Sequence, residues 1–314
     1  MKAALIFPGQ GSQFVGMAKD LAEAYPRIAE IYSEADEILG FPISRLCFEG
    51  NPAVLTQTRN AQPAILLHSI AILELLSGEG GVEPTVTAGH SLGEYSALVA
   101  AGVLDGMDAL RIVRKRGELM FEAGIKQPGT MAAVIGMERE QVDSVCSDAS
   151  SEDSIVVVAN VNSPGQIVIS GHIDAVGRAM ELAGDRGAKK VVRLNVSGAF
   201  HSPLVAPAAE ELVAYIEQFT IRDADVDVIC NADAVTVRTK EEIVDALSRQ
   251  LTSPVLWAES MTLIGEHSEG AVLEVGPGKV LKGLMRRIDP EQSVETVGTV
   301  AELEKYVAPS VEIV

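Results

Sequence analysis

A serine with a glycine two residues away on either side, Gly89-His90-Ser91-Leu92-Gly93, is the pattern from which a nucleophile can be built. The hydroxyl must be lifted clear on a sharp turn, and such a turn leaves no room for side chains at its flanks. The pentapeptide alone is weak: a glycine-rich strand-to-helix turn in which Ser91 only caps the helix has the same sequence. Its context favours chemistry, since Thr85-Val86-Thr87-Ala88 reads as a strand and the residues up to Ala101 as a helix. Such a serine needs a general base within hydrogen-bond reach. Of the five histidines, His90 neighbours Ser91 but should point to the opposite face. His68 lies in the apolar run Ala64–Leu76 and reads as core, while His172 and His267 read as solvent-side loop residues. His201 is the better candidate, because it follows the bend Ser197-Gly198-Ala199-Phe200 and precedes Ser202-Pro203, an N-cap and first helical residue.

A cation on an apolar face gives the third chemical clue. Projected at about 100° per residue, Ala109, Ile112, Val113, Leu119, Met120 and Ala123 share one side of a helix, and Arg116 falls in the middle of that stripe. Arg111, Arg114, Lys115, Glu118 and Glu122 lie outside it. A buried guanidinium keeps its proton and demands a carboxylate or phosphate, ideally two-pronged. Its partner is either an internal Asp or Glu or the anion of a bound small molecule, and the pattern leaves both open.

These residues must be positioned by alternating elements. The N-terminal part reads as a strand (Ala3–Phe7), a glycine-rich turn and amphipathic helices through Leu39, followed by a long helix over Ala64–Leu76 that starts after Pro63. Between Met131 and Leu194 the order becomes strand, helix, two strands joined across Asn162-Ser163-Pro164-Gly165, helix and strand, a ferredoxin-like split βαβ unit. The expected fold is α/β: an α/β-hydrolase-like large domain with a mainly parallel sheet, formed by residues 1–125 and 197–314, plus an inserted ferredoxin-like (α+β) small subdomain at 126–196. The cleft between the two is the expected ligand site.

Composition narrows the function classes. Lys and Arg number 25 against 44 Asp and Glu, a formal charge of −19, which argues against nucleic-acid binding. No apolar run reaches the ~20 residues of a membrane span, and the first apolar stretch meets Pro8-Gly9 too early for a signal peptide. Cys47, Cys146 and Cys230 are scattered, so neither a disulfide framework nor a metal site is expected. A cytoplasmic, soluble protein is the expectation.

With these residues assembled, the chain resembles the malonyl-CoA:acyl-carrier-protein transacylases of bacterial type II fatty-acid synthesis, over essentially its whole length. Phe7-Pro8-Gly9-Gln10-Gly11-Ser12-Gln13, Gly89–Tyr95, Arg116-Gly117, Gly198-Ala199-Phe200-His201-Ser202, and Gln250-Leu251 with Ser253-Pro254-Val255 and Trp257 carry the resemblance in order, as does Glu274–Gly278. It implies that Ser91 attacks the thioester of malonyl-CoA while His201 takes its proton and returns it to the departing thiol. It implies an oxyanion site made by the backbone N–H groups of Leu92 and Gln10. It also implies that the main-chain carbonyl of Gln250, rather than a carboxylate, orients His201, so that no part is expected for the Gln250 side chain. Arg116 would hold the malonyl carboxylate, with Met120 and Phe200 lining the pocket. Asn160 and Asn162 are candidates for further polar contacts, or equally for ordinary loop structure.

By the same resemblance malonyl-CoA is the substrate, no bound cofactor is expected, and the partner is a phosphopantetheinylated acyl carrier protein met by a monomer. Two rival readings stand against it. A serine hydrolase or thioesterase expects a late histidine, whereas His201 lies about two thirds of the way along. A non-catalytic carrier-binding protein has no need of Ser91, His201 and Arg116 together. Carrier proteins of this kind are acidic, so a chain of −19 must dock them locally, within a Debye length of about 8 Å. Lys189, Lys190 and Arg193, or Lys279, Lys282, Arg286 and Arg287, are candidate patches, with ordinary solvated faces as the alternative.

Overall fold

The structure is a computed structural model that describes residues 1–307; the C-terminal end of the expected large domain, 308–314, lies outside the described residues. Ten strands run through the described chain: β1 (Lys2–Phe7), β2 (Glu83–Gly89), β3 (Gly129–Ile135), β4 (Val156–Ser163), β5 (Gln166–His172), β6 (Lys190–Arg193), β7 (Asp227–Ile229), β8 (Thr236–Val237), β9 (Ala271–Val275) and β10 (Val294–Val297). They form a six-stranded sheet in the order β10-β9-β1-β2-β7-β8 and a four-stranded sheet in the order β4-β5-β3-β6.

The larger sheet is parallel from β10 to β7, and only β8 runs antiparallel. Its centre is β1, whose run Ala3–Phe7 is fully buried, as befits a strand covered on both faces. Parallel pairing brings the C-terminal ends of β1, β2 and β7 to one edge, where Phe7 pairs with Gly89 and Ala88 with Ile229. The glycine-rich loop after β1, the serine turn after β2 and Asn231 after β7 therefore emerge side by side.

The smaller sheet is antiparallel throughout, and its strand order is that of a split βαβ unit. Alternation along β3 serves two cores. Ala132 and Val134 pack with Val142, Val145, Val176 and Ala179 of the helices Arg139–Ala149 and Ile173–Asp185, while Met131 joins the core of the larger sheet. At its edge, β4 is stitched to the segment after Gln250: Val161 N donates to Val255 O at 2.9 Å, and Val255 N to Ala159 O at 2.9 Å.

Several expectations are corrected by the fold. The long helix begins at Thr58 and ends at Ser77, with Pro63 inside it rather than before it. A proline there leaves the carbonyl four residues earlier without its usual partner; Arg114 supplies one, its Nη1 donating to Arg59 O at 2.7 Å. The strand β4 runs on through Asn162 and Ser163, so the turn to β5 is only Pro164-Gly165, with Gly165 at φ +67°. His68 is core, as expected, and is fully buried with Nε2 against Gly298 O at 3.0 Å. His172 ends β5 and His267 ends the helix Trp257–His267, so neither is a loop residue.

The helix Thr58–Ser77 packs closely on Gly106–Lys126, the helix that carries Arg116. Gly117 makes this approach possible, because a Cβ there would stand 2.9 Å from Arg59 Cα. Gln62 is thereby brought within reach of Arg116.

Candidate active site

Ser91 sits on the turn between β2 and the helix Gly93–Ala100 with φ 52°, a left-handed conformation that costs a serine about 1–2 kcal/mol. The flanking glycines are obligatory: a Cβ on Gly89 would lie 1.9 Å from Gly93 O, and one on Gly93 would lie 2.3 Å from Phe7 O. Asn231 staples the turn from below. Its Oδ1 accepts from Ser91 N at 2.6 Å, and its Nδ2 donates to Gly89 O at 2.7 Å.

His201 also has a positive φ, 55°, on a bend held by Ser202 Oγ donating to Ala199 O at 2.7 Å. Its Nε2 lies 2.8 Å from Ser91 Oγ, and its Nδ1 lies 3.0 Å from Gln250 O and 3.2 Å from Ser253 O. Two carbonyls can only accept, so Nδ1 carries the proton and Nε2 is the free base facing the serine hydroxyl. Burial, then the Arg116 charge, push the His201 pKa down to about 3. The ring is thus neutral and oriented without a carboxylate.

Arg116 is 1% exposed and forms no ion pair among the described residues. Its Nη1 donates to Gln62 Oε1 at 2.6 Å, and its Nη2 donates to Ser91 Oγ and to Gln250 Oε1, both at 3.1 Å. Its Nε is buried with no acceptor, and its Cζ stands 5.7 Å from the Tyr95 ring centroid. Of the two partners left open by the sequence, an internal carboxylate in contact is therefore excluded among the described residues. Glu94 is near, but Gln250 stands between them.

A cavity of about 330 Å³ opens onto these groups and is lined by Gln10, Gln62, His90, Ser91, Leu92, Arg116, Met120, Phe200 and His201. Met131, Asn160, Asn162 and Val168 close it from the four-stranded sheet. Every candidate site residue borders it except Gln250, which lies directly behind. Asn160 and Asn162 are strand residues, not loop residues. Asn162 Oδ1 stands 2.8 Å from His90 Nε2. The turn breaks strand alternation, so His90 lines the same cavity as Ser91 yet bonds Asn162 instead. Neither Gln10 N nor Leu92 N has an acceptor among the described residues, leaving two amide donors at the cavity wall. The Gln10 loop is pressed against the serine turn, since a Cβ on Gly9 would meet His90 O at 2.5 Å.

The expectation that the Gln250 side chain plays no part does not hold. Besides accepting from Arg116, it donates through Nε2 to Ser91 O and to Glu94 Oε2, both at 3.0 Å. Glu94 is 2% exposed, also accepts from Asn231 N at 3.0 Å, and is pushed by burial up to about 7. The sequence assigns no role to Gln62, Glu94, Asn231 or Ser253, although Glu94 and Ser253 stand in stretches that carry the resemblance. Glu94 carries a usable signal, being a charged residue at the head of an apolar helical run, the same kind of anomaly that marks Arg116. Gln62, in a mostly polar stretch before Pro63, Asn231 and the Ser253 carbonyl carry no such signal.

Comparison with known proteins gives the family and the fold. The family model described as an acyl transferase domain matches residues 4–306. A malonyl CoA-acyl carrier protein transacylase of Bacillus subtilis (strain 168) is 49% identical over 288 residues, spanning 92% of this chain and 90% of its own. One from Staphylococcus aureus (strain MRSA252) is 43% identical over 305 residues, 97% of this chain and 98% of its own. Among solved structures, a malonyl-transacylase in complex with a type II PKS acyl-carrier protein superposes with a TM-score of 0.93 at 41% identity, covering 98% of this chain and 99% of that one. An acyl carrier protein S-malonyltransferase from Vibrio cholerae gives 0.92 at 43%, covering 97% and 99%. The chain belongs to the acyl transferase domain family.

Proposed function

We infer that the protein is a malonyl-CoA:acyl-carrier-protein transacylase, moving malonyl groups from coenzyme A to the phosphopantetheine thiol of a carrier protein for fatty-acid chain elongation. The observation that carries this reading is the position of Ser91 Oγ, 2.8 Å from a neutral base and 3.1 Å from a guanidinium with no carboxylate of its own. The malonyl carboxylate binds Arg116, which sets the thioester carbonyl beside Ser91. Ser91 Oγ bonds to that carbon as its proton passes to His201 Nε2. The oxyanion is received by the N–H groups of Leu92 and Gln10. The C–S bond then breaks, His201 protonates the coenzyme A sulfur, and malonyl remains as an ester on Ser91. The carrier thiol enters by the reverse sequence, giving up its proton to His201 and regenerating the serine. Nucleophile, base and anion site all come from the chain, so the chemistry calls for no bound cofactor.

In this reading Met120, Phe200, Asn160 and Asn162 shape the acyl pocket, and the Gln250 carbonyl orients His201. The chain divides into a large domain, 1–125 with 197–314, and an inserted subdomain, 126–196, a division supported by the separate hydrophobic core of the four-stranded sheet. In the same reading the protein acts as a monomer in the cytoplasm; none of the described helices is long and apolar enough to cross a membrane. Intact-mass spectrometry tests the reading directly. Mixing with malonyl-CoA should give a malonyl adduct that disappears on adding carrier protein, and Ser91→Ala should give none. An adduct persisting in Ser91→Ala would sink the assignment.

A further inference from the structure

The chemistry above uses only the main-chain carbonyl of Gln250, yet the residue is 1% exposed and both its amide N–H groups and its amide oxygen are engaged. Two acceptors, Ser91 O and Glu94 Oε2, lie on one side and a guanidinium donor on the other. Only one orientation of the amide satisfies all three, with Nε2 toward the oxygens and Oε1 toward Arg116. One side chain therefore joins the backbone of the nucleophile, a buried acid and the cation.

The kind of group matters as much as its place. Arg116 is held at Nη1 by Gln62 Oε1 and at Nη2 by Gln250 Oε1, two neutral acceptors. A neutral amide fixes a guanidinium without cancelling its charge, whereas a carboxylate at either place would consume it. We propose that the Gln250 side chain is a positioning residue for acyl selectivity: anchored on Ser91 O and Glu94, it holds Arg116 at a fixed offset from Ser91 Oγ with its charge unspent, so that carboxylated acyl groups are loaded in preference to plain ones. This rests on Arg116 being the anchor of the acyl carboxylate.

Single-turnover loading of malonyl-CoA and acetyl-CoA is compared for the wild type, Gln250→Glu and Gln250→Leu, all of which keep the carbonyl that orients His201. In Gln250→Glu, equal in size, the new carboxylate pairs with Arg116 and competes with substrate. Malonyl KM should rise at least tenfold with a smaller change in kcat, and acetyl loading should fall by a smaller factor. Gln250→Leu releases the tether, and the malonyl-to-acetyl ratio should drop at least tenfold. An equal loss for both donors would mean that the side chain only supports the serine turn, and that result, like an unchanged ratio, overturns the proposal. If Gln250→Leu does not fold, Gln250→Glu decides. Arg116→Ala run alongside separates the two levels. Selectivity surviving in Arg116→Ala refutes the anchor itself, whereas selectivity lost there but kept in both Gln250 variants refutes only the positioning role.

Discussion

Truncating Arg116 to alanine is the perturbation whose size follows most directly from the geometry. The guanidinium is buried, and its Nε has no acceptor among the described residues. A substrate carboxylate placed here would form a desolvated, charge-assisted pair. Removing one partner of such a pair typically costs about 2–5 kcal/mol. At about 1.4 kcal/mol per factor of ten, malonyl loading should fall roughly 30- to 4,000-fold. Acetyl-CoA offers no carboxylate and loses none of this. Its loading should hold or rise, because the variant also removes one of the two largest influences holding the His201 pKa down. Arg116→Lys should fall between, since an ammonium keeps a charge but not the two-pronged fork. Quench-flow mixing with each acyl-CoA, read as the acylated fraction by intact mass, measures both rates on one scale. A malonyl-to-acetyl ratio within threefold of wild type would refute the argument at its root, for Arg116 would then be a structural cation.

The depressed pKa of His201 makes a second prediction. A histidine at about 3 stays unprotonated as pH falls, so kcat/KM for malonyl-CoA should be flat from pH 8 to about 5, without a limb near the ordinary value of 6.5. In Arg116→Ala the limb should move upward, toward that value; a wild-type limb at 6.5 that persists in Glu94→Gln, which removes the buried acid pushed up to about 7, would show that burial does not hold the ring neutral. Carrier docking gives a third. Lys190 and Arg193 begin and end the edge strand β6 and Lys189 precedes it; all three are exposed, and none is in an ion pair among the described residues. Lys189→Glu with Lys190→Glu should raise the carrier KM severalfold and leave malonyl-CoA loading unchanged. An unchanged carrier KM would clear that patch and turn attention to Lys279, Lys282, Arg286 and Arg287, while ordinary edge-strand lysines would explain the first.

Much of the fold was legible because each element carries its own periodicity and punctuation. The apolar stripe of Gly106–Lys126 and the strand–helix order from β3 to β6 are local patterns, read within windows shorter than one element. Two of the misreadings share a cause. Pro63 looked like a helix start because the rule for proline assumes that the orphaned carbonyl has no other donor, and Arg114 comes from a different helix to supply one. The turn after β4 looked longer than it is because Asn162 and Ser163 are common loop residues. In the folded chain Asn162 is held by His90, a residue 72 positions away. Tertiary partners, invisible locally, decided both.

The same division runs through the active site. Arg116 was legible because a cation on an apolar face violates a physical rule, and a violation can be seen in one helix. Ser91 was legible because the turn excludes side chains at Gly89 and Gly93. In the second layer Glu94 breaks the same rule, and Asn231 breaks none. Asn231 follows a strand too short to stand out, and its amide finds the serine turn only because β7 pairs with β2. Gln250 ends an amphipathic helix on the stripe of Ile243, Ala246 and Leu247, but a glutamine in a last helical turn is ordinary in type, and only the folded chain puts its amide between Ser91 O, Glu94 and Arg116. Groups that perform the chemistry are conspicuous because chemistry demands charge or strain in unusual places. Groups that hold them are satisfied, neutral and ordinary in type, so only their positions distinguish them. Gln250 spans both: any residue there offers the carbonyl to His201, but only a residue carrying both a donor and a neutral acceptor can tie Arg116 to the serine turn and leave its charge for the substrate.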